Sequence, residues 1–160
     1  MTGFVMSRTK NVWYGFALQG YMGGGEKELY MQLTMTTDYA LRCLLYLAGK
    51  EGVSSSPEIG KTVGINNIFV QKVLRVLRDA GFVSSLQGGT GGYRLAKKPE
   101  EIVLLDIILL FEKTMKINRC LEAEGCCERC ETCPMHVYYA EVQKTLEGYF
   151  GQDTLQDVIN

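Results

Sequence analysis

The chain has 160 residues, an apolar fraction of 46% and a net charge of −1, enough for one domain with a filled core and too balanced for a protein that is basic throughout. Its longest apolar run, Ile102–Phe111, is short for a bilayer and carries Asp106, which argues against a transmembrane helix. No compact apolar stretch with a small-residue cleavage site marks the N-terminus for secretion, so we expect a cytoplasmic protein.

Residues 1–30 show no clear hydrophobic period. Gly23-Gly24-Gly25-Glu26-Lys27 would be encoded by purine-rich codons, about where a bacterial ribosome-binding site would precede Met31. We therefore expect Met31 to be the natural start and residues 1–30 to be leader, with a flexible arm as the alternative. Little order is expected there in either case.

From Thr36 the pattern turns helical. Tyr39, Ala40, Cys43, Leu44 and Leu47 fall at helical spacing, with Thr36 or Thr37 as N-cap and Gly49 or Gly52 near the end. Ser54-Ser55-Ser56-Pro57-Glu58 opens a second helix with a Ser cap, Pro at its first position and an acid in the first turn. Gly64 stops it. Asn66 or Asn67 then caps a third helix running to Ala80, with Gly81 as its C-terminal glycine. Phe69, Val73, Val76, Leu77 and Ala80 form the expected buried stripe, while Gln71, Lys72, Arg75 and Arg78 form a polar face.

Two helices joined by a Gly-containing turn, the second basic outside, describe a helix-turn-helix. A small bundle with a solvated charged face would read similarly, and the next stretch favours the first. Phe82–Leu86 reads as a strand, Gln87–Gly92 as a flexible turn and Tyr93-Arg94-Leu95 as a returning strand. This hairpin is a wing. Gly91 and Gly92 would let backbone approach a phosphate or a minor groove, and Tyr93, Arg94, Lys97 and Lys98 flank them.

Pro99-Glu100-Glu101 opens an apolar fourth helix, expected in the core. After the cysteine-rich stretch, a long helix runs from about Pro134 to Phe150. Met135, Tyr139, Val142, Leu146 and Tyr149 or Phe150 step by four and three along it, an a/d seam that suits a homodimer contact. Leu155–Ile159 is a short amphipathic tail able to pack back. The expected fold is mainly α with a small β-hairpin wing. A winged helix-turn-helix over 31–98 is followed at 99–160 by a ligand-bearing loop and a long C-terminal dimerisation helix, within the same compact domain.

Charge is distributed accordingly. Residues 57–98 carry seven basic and two acidic groups, and residues 99–160 carry five basic and twelve acidic. A basic middle beside an acidic end suits a duplex-facing module joined to a half that does not touch phosphate.

Five of the six cysteines and the only histidine lie within Cys120–His136. Six residues separate Cys120 from Cys127, five separate Cys127 from Cys133, and two separate Cys133 from His136. Thiolates and imidazole are the ligands that iron–sulfur clusters and zinc require, and such clustering in a reducing compartment favours metal binding or redox sensing over a structural disulfide. Cys133 sits at a helix N-cap position before Pro134, where the dipole favours negative charge. Glu122, Glu124, Glu128 and Glu131 act against that and suggest a solvent-facing loop. Cys127, Cys130 and Cys133 also form a C-x-x-C-x-x-C run that zinc could use with Cys120 or His136. Cys43, at an apolar helix position, reads as core.

With these pieces in view, the chain from Met31 to its end resembles the Rrf-two family of bacterial transcription regulators. Three signatures carry the likeness: Met31–Arg42 with its Thr-Asp38-Tyr39, Gly91-Gly92-Tyr93-Arg94-Leu95 continuing to Ile102, and the cysteine loop ending Cys133-Pro134-Met135-His136. The resemblance implies a homodimer that binds partly palindromic double-stranded promoter DNA under the control of an iron–sulfur cluster. It also implies three cysteine ligands, for which Cys120, Cys127 and Cys133 match, with Cys126 a substitute for Cys127. In the IscR-like branch a His three positions after the last Cys completes a 2Fe–2S cluster, and His136 matches it. In the NsrR-like branch an Asp of the partner's first helix completes a 4Fe–4S cluster, and Asp38 matches that.

We expect a cluster-sensing repressor or activator whose third helix points Asn66, Asn67, Gln71, Lys72 and Arg75 toward bases and phosphates. The signal could be redox state, nitric oxide or iron–sulfur status. A zinc or thiol-switch regulator of the same fold is the alternative, as is a metal-stabilised protein-interaction module. No phosphate loop and no recognisable active site support an enzyme.

Overall fold

The computed structural model describes residues 33–159 apart from 90, 113 and 123–127; the leader expected over 1–30 lies outside them. Among the described residues, six α-helices and one two-stranded hairpin follow in order: α1 (Met35–Ala48), α2 (Ser56–Val63), α3 (Asn67–Asp79), β1 (Val83–Leu86), β2 (Gly92–Leu95), α4 (Leu104–Phe111), α5 (Pro134–Gln152) and α6 (Leu155–Ile159). Short 3-10 turns occupy Pro99–Glu101 and Arg119–Leu121.

The cap of α1 is Thr34, which accepts from the Thr37 amide, and it lies two residues before Thr36, the earlier of the two expected caps. Thr37 itself is buried, and its hydroxyl donates to Glu112 Oε1; the Thr34 amide reaches the same oxygen at 2.7 Å. One carboxylate beyond α4 thus ties down the start of α1. Helix α2 is capped by Ser55, with Pro57 in its first turn, and it ends at Gly64, whose φ of 71° is strained for any residue with a Cβ. The Tyr46 hydroxyl joins α1 to α2 by donating to Glu58 Oε1 at 2.7 Å, and Lys50 Nζ lies 3.2 Å from the same oxygen. Tyr46 first and Lys50 next hold the Glu58 carboxyl below its ordinary range.

Asn66 caps α3 through Ile68 N at 2.9 Å. The buried stripe of α3 is Val70, Val73, Leu74 and Leu77, which corrects the expected stripe. Phe69, Val76 and Ala80 face out, since steps of three, one and three from Val70 give a tighter apolar line. Phe69 packs against Tyr39 instead, with ring centroids 6.1 Å apart. The core that closes around α3 takes Ala40, Cys43, Leu44 and Leu47 from α1, Ile59 from α2, and Phe82 and Val83 beside the hairpin. Burial pushes the Cys43 thiol up to about 12, the mark of an inert core cysteine.

The hairpin is antiparallel, with Val83 opposite Leu95 and Leu86 opposite Gly92. Ser54 adds a third rung: its amide donates to Tyr93 O at 2.9 Å and accepts from Tyr93 N through its carbonyl at 2.8 Å. A Cβ on Gly92 would stand 2.5 Å from Ser54 O, so glycine is needed there for close backbone approach.

Pro99–Glu101 does not open α4. Ile102 and Val103, β-branched and suited to extended backbone, leave the 3-10 turn and pair with the α5–α6 junction. Leu155 N donates to Ile102 O at 2.8 Å, and Leu104 N to Asp153 O at 3.0 Å. Leu155 is wholly buried against this segment, so the tail packs back. Helix α4 buries only Ile107 and Ile108, with Leu109 exposed, a correction to the expectation of a helix lost in the core.

Candidate nucleic-acid interface and cysteine loop

The outward face of α3 carries Lys72 and Arg75, both exposed and neither in an ion pair among the described residues. Lys72 Nζ lies 5.7 Å from the Phe69 ring centroid, which steadies its stem without cancelling its charge. Arg78, by contrast, is paired with Asp79 at 2.7 Å. The amides near the start of α3 are partly engaged already. Asn66 is the cap, Asn67 holds its Oδ1 buried without a hydrogen-bond partner, and Gln71 Nε2 donates to Ser56 Oγ at 3.3 Å.

On the wing, Arg94 is exposed, with its Nε donating to Ser84 Oγ at 3.3 Å. Lys97 lies over the Phe82 ring at 4.6 Å. Tyr93 is half-buried against the α2 start, and Gly91 and Gly92 are held close to neighbouring backbone. A shallow cleft between the wing and α2 is lined by Ser55, Ser56, Arg78 and Gln87. Hydroxyls on a basic segment are groups able to donate to phosphate oxygens.

Of the cysteine loop, Cys120, Cys130, Cys133 and His136 are described and half-buried; Cys126 and Cys127 lie outside the described residues. Cys133 is the N-cap of α5, with Pro134 in its first turn and no side-chain cap bond. His136, one turn in, has its Nδ1 buried with no hydrogen-bond partner among the described residues. A buried ring nitrogen with no partner of its own fits the nitrogen donor that a borderline metal takes. Among the described residues no three of His, Cys, Asp and Glu gather closely enough to hold an ion. Asp38, in the first turn of α1, pairs with Arg42 at 2.9 Å.

The approach to the loop is anchored by a residue that sequence reasoning missed. Gln143, only 4% exposed, is the one buried residue of α5. Its Oε1 accepts from Ile117 N at 2.9 Å, and its Nε2 donates to Met115 O at 3.2 Å and to Glu147 Oε1 at 2.9 Å. Lys116 Nζ adds 2.8 Å to Glu147 Oε1. Lys116 first and Gln143 next hold the Glu147 carboxyl below its ordinary range. No local pattern signals this latch, because its two main-chain partners, Ile117 N and Met115 O, lie far away in the chain.

On α5, Met135, Val142 and Tyr149 are exposed, and Tyr139 and Leu146 are half-buried. Val142, Leu146 and Tyr149 line one shallow apolar groove with Glu141 and Thr145.

A family model described as Rrf2, iron-dependent transcriptional regulator, matches residues 33–160. The chain belongs to the Rrf2 family. Similar curated proteins include rrf2 of Nitratidesulfovibrio vulgaris, 34% identical over 131 residues that cover 81% of this chain and 87% of that one. The regulator NsrR of Geobacillus kaustophilus is 30% identical over 136 residues, 79% of this chain and 91% of that one. Among solved structures, CymR, the global cysteine regulator of B. subtilis, matches with a TM-score of 0.65 and 25% identity, covering 80% of this chain and 95% of that one. IscR of T. potens matches with a TM-score of 0.64 and 26% identity, covering 80% and 85%. This Rrf2-family chain is therefore a winged-helix transcription regulator, and its relatives are regulators rather than enzymes. Among the described residues no helix is long and apolar enough to cross a membrane.

Proposed function

We propose that this Rrf2-family regulator binds promoter DNA as a homodimer and that an iron–sulfur cluster on the cysteine loop sets its affinity. Cys120, Cys127 and Cys133 would hold the cluster, with Cys126 able to replace Cys127. The observation that carries this reading is His136 Nδ1, three residues after Cys133, buried and without a partner among the described residues. It favours His136 as fourth ligand and a 2Fe–2S cluster, since Asp38 is already paired with Arg42. The likeness to NsrR supports the other assignment, Asp38 of the partner subunit and a 4Fe–4S cluster.

When bound, the cluster supplies iron that oxidants and nitric oxide can reach. The chain's own part is mechanical. Gln143 clamps residues 115–117 to α5, and Glu112 ties the end of α4 to Thr34 and Thr37 at the start of α1. Displacing the loop thiolates would strain both ties and shift two reading heads paired through Met135, Tyr139, Val142, Leu146 and Tyr149. Lys72, Arg75 and Arg94 would meet the duplex, α3 in the major groove and the wing on adjacent backbone.

The test is anaerobic purification of the full chain with iron, sulfide and zinc analysis. Equal iron and sulfide, with visible absorption bleached by air or nitric oxide and lost in His136→Ala, is the expected outcome. Retention of four irons per chain by His136→Ala would transfer the fourth position to Asp38. Zinc alone would replace the cluster with the zinc or thiol-switch reading.

A further inference from the structure

Ile68 is the most exposed large apolar side chain of α3, at 62%, and it stands in the first turn. Single exposed apolar residues are common on protein surfaces and mean nothing by themselves. The position of this one is different. Ile68, Lys72 and Arg75 follow the i, i+4, i+7 spacing of one helical face, and the buried Val70, Val73, Leu74 and Leu77 occupy the opposite face. An isoleucine therefore heads the stripe whose next two members are unpaired cations. Its polar neighbours are partly engaged, with Asn66 capping the helix through Ile68 N at 2.9 Å and Asn67 Oδ1 turned inward.

The groove reading proposed above, on which this inference rests, puts the first turn of α3 against base edges, because recognition helices read with their N-terminal residues. An isoleucine has no hydrogen bond to offer a phosphate or a base. The major-groove edge of duplex DNA presents one apolar group, the 5-methyl of thymine. We infer that Ile68 is a specificity-determining residue that selects a thymine in each half-site by packing against that methyl group. Lys72 and Arg75 on the same face supply the charge complementarity that holds the helix in the groove. Readout at this position is then by shape and apolar contact, not by a bidentate amide.

The full chain, loaded and handled anaerobically, first selects its site from a pool of random duplexes. Each half-site thymine is then replaced in turn by uracil, which removes the methyl and keeps the pairing. At one thymine per half-site, the replacement should weaken binding by about fourfold, the equivalent of one buried methyl group. Ile68→Ala should bind the thymine and uracil duplexes equally, with unchanged thermal unfolding, because alanine favours an exposed helical position. A selected half-site without thymine, a wild type indifferent to every uracil, or an Ile68→Ala variant that still prefers thymine at that position would each overturn the inference. Arg75→Ala run in parallel separates the two levels. Unchanged affinity and salt dependence in that variant removes the groove reading itself. Weaker binding with a salt slope smaller by about one, combined with indifference to uracil, removes only the role of Ile68.

Discussion

Helix α3 has 13 residues and buries Val70, Val73, Leu74 and Leu77, whereas α5 has 19 and buries Gln143 alone among its described residues. The first is held by apolar area, on the order of 1.5–3 kcal/mol for each large side chain taken from water. The second is tied by hydrogen bonds to residues 115–117, half-buries Tyr139, Leu146 and Phe150, and leaves Met135, Val137, Tyr138, Val142 and Tyr149 exposed. A winged helix of this size closes its own core within one chain. The arm behind it does not, and a helix that exposes so much apolar surface calls for a second surface to cover it. The contrast separates a winged-helix head with a filled apolar core from a C-terminal helix with an exposed apolar side.

The largest effect should come from breaking the filled core. Leu74→Ala, at a wholly buried site, should cost about 2–5 kcal/mol and unfold the reading head, as followed by chemical denaturation. Gln143→Leu should cost less, about 1 kcal/mol for each part-buried main-chain group that loses its partner. Its signature should be local: faster hydrogen exchange at residues 115–117 and poorer iron retention, with α3 still protected. If α3 loses protection as well, the arm and head are one unit and the contrast fails. Thr34→Ala should remove about 1 kcal/mol, the worth of one helix cap, measured by the same denaturation.

Two further tests sharpen the arm. Val142→Glu places a charge on the exposed seam and should shift the chain from dimer to monomer in light scattering, with the fold intact. An unchanged dimer would move the contact elsewhere. Glu147 gives the smallest and most specific effect. Its carboxyl is lowered by Lys116 and Gln143, so its contribution is present above the ordinary carboxylate pKa and is lost as pH falls through its lowered value. Exchange at 115–117, corrected for the intrinsic rate, should therefore rise in acid in the wild type and be insensitive to that change in Glu147→Gln.

Several features were legible along the chain because the signals are local. Ser55 with Pro57, Gly64 and Asn66 mark helix ends by the chemistry of single residues, and the structure has α2 and α3 at those places. The basic hairpin and the start of α5 at Pro134 were equally plain. The face of α3 was not, since Phe69 and Val70 are both apolar and only the packing of α1 and α2 decides which turns inward. The start of α4 is not legible locally, because Pro99-Glu100-Glu101 is a sound helix opening and only pairing of Ile102 and Val103 with residues 153–155 holds the next stretch extended.

What the sequence determined by itself was the winged-helix order, the family and the residue types able to bind a metal, all of them carried by short-range spacing and composition. The tertiary structure alone decided that Ile68 heads the outward stripe of α3, that Gly92 lies under Ser54, that Glu112 binds the start of α1 and that Gln143 clamps the approach to the cysteines. Each of these depends on groups distant in the chain meeting in space, and neither a hydrogen bond to a remote carbonyl nor the choice between two apolar neighbours leaves a mark in local sequence.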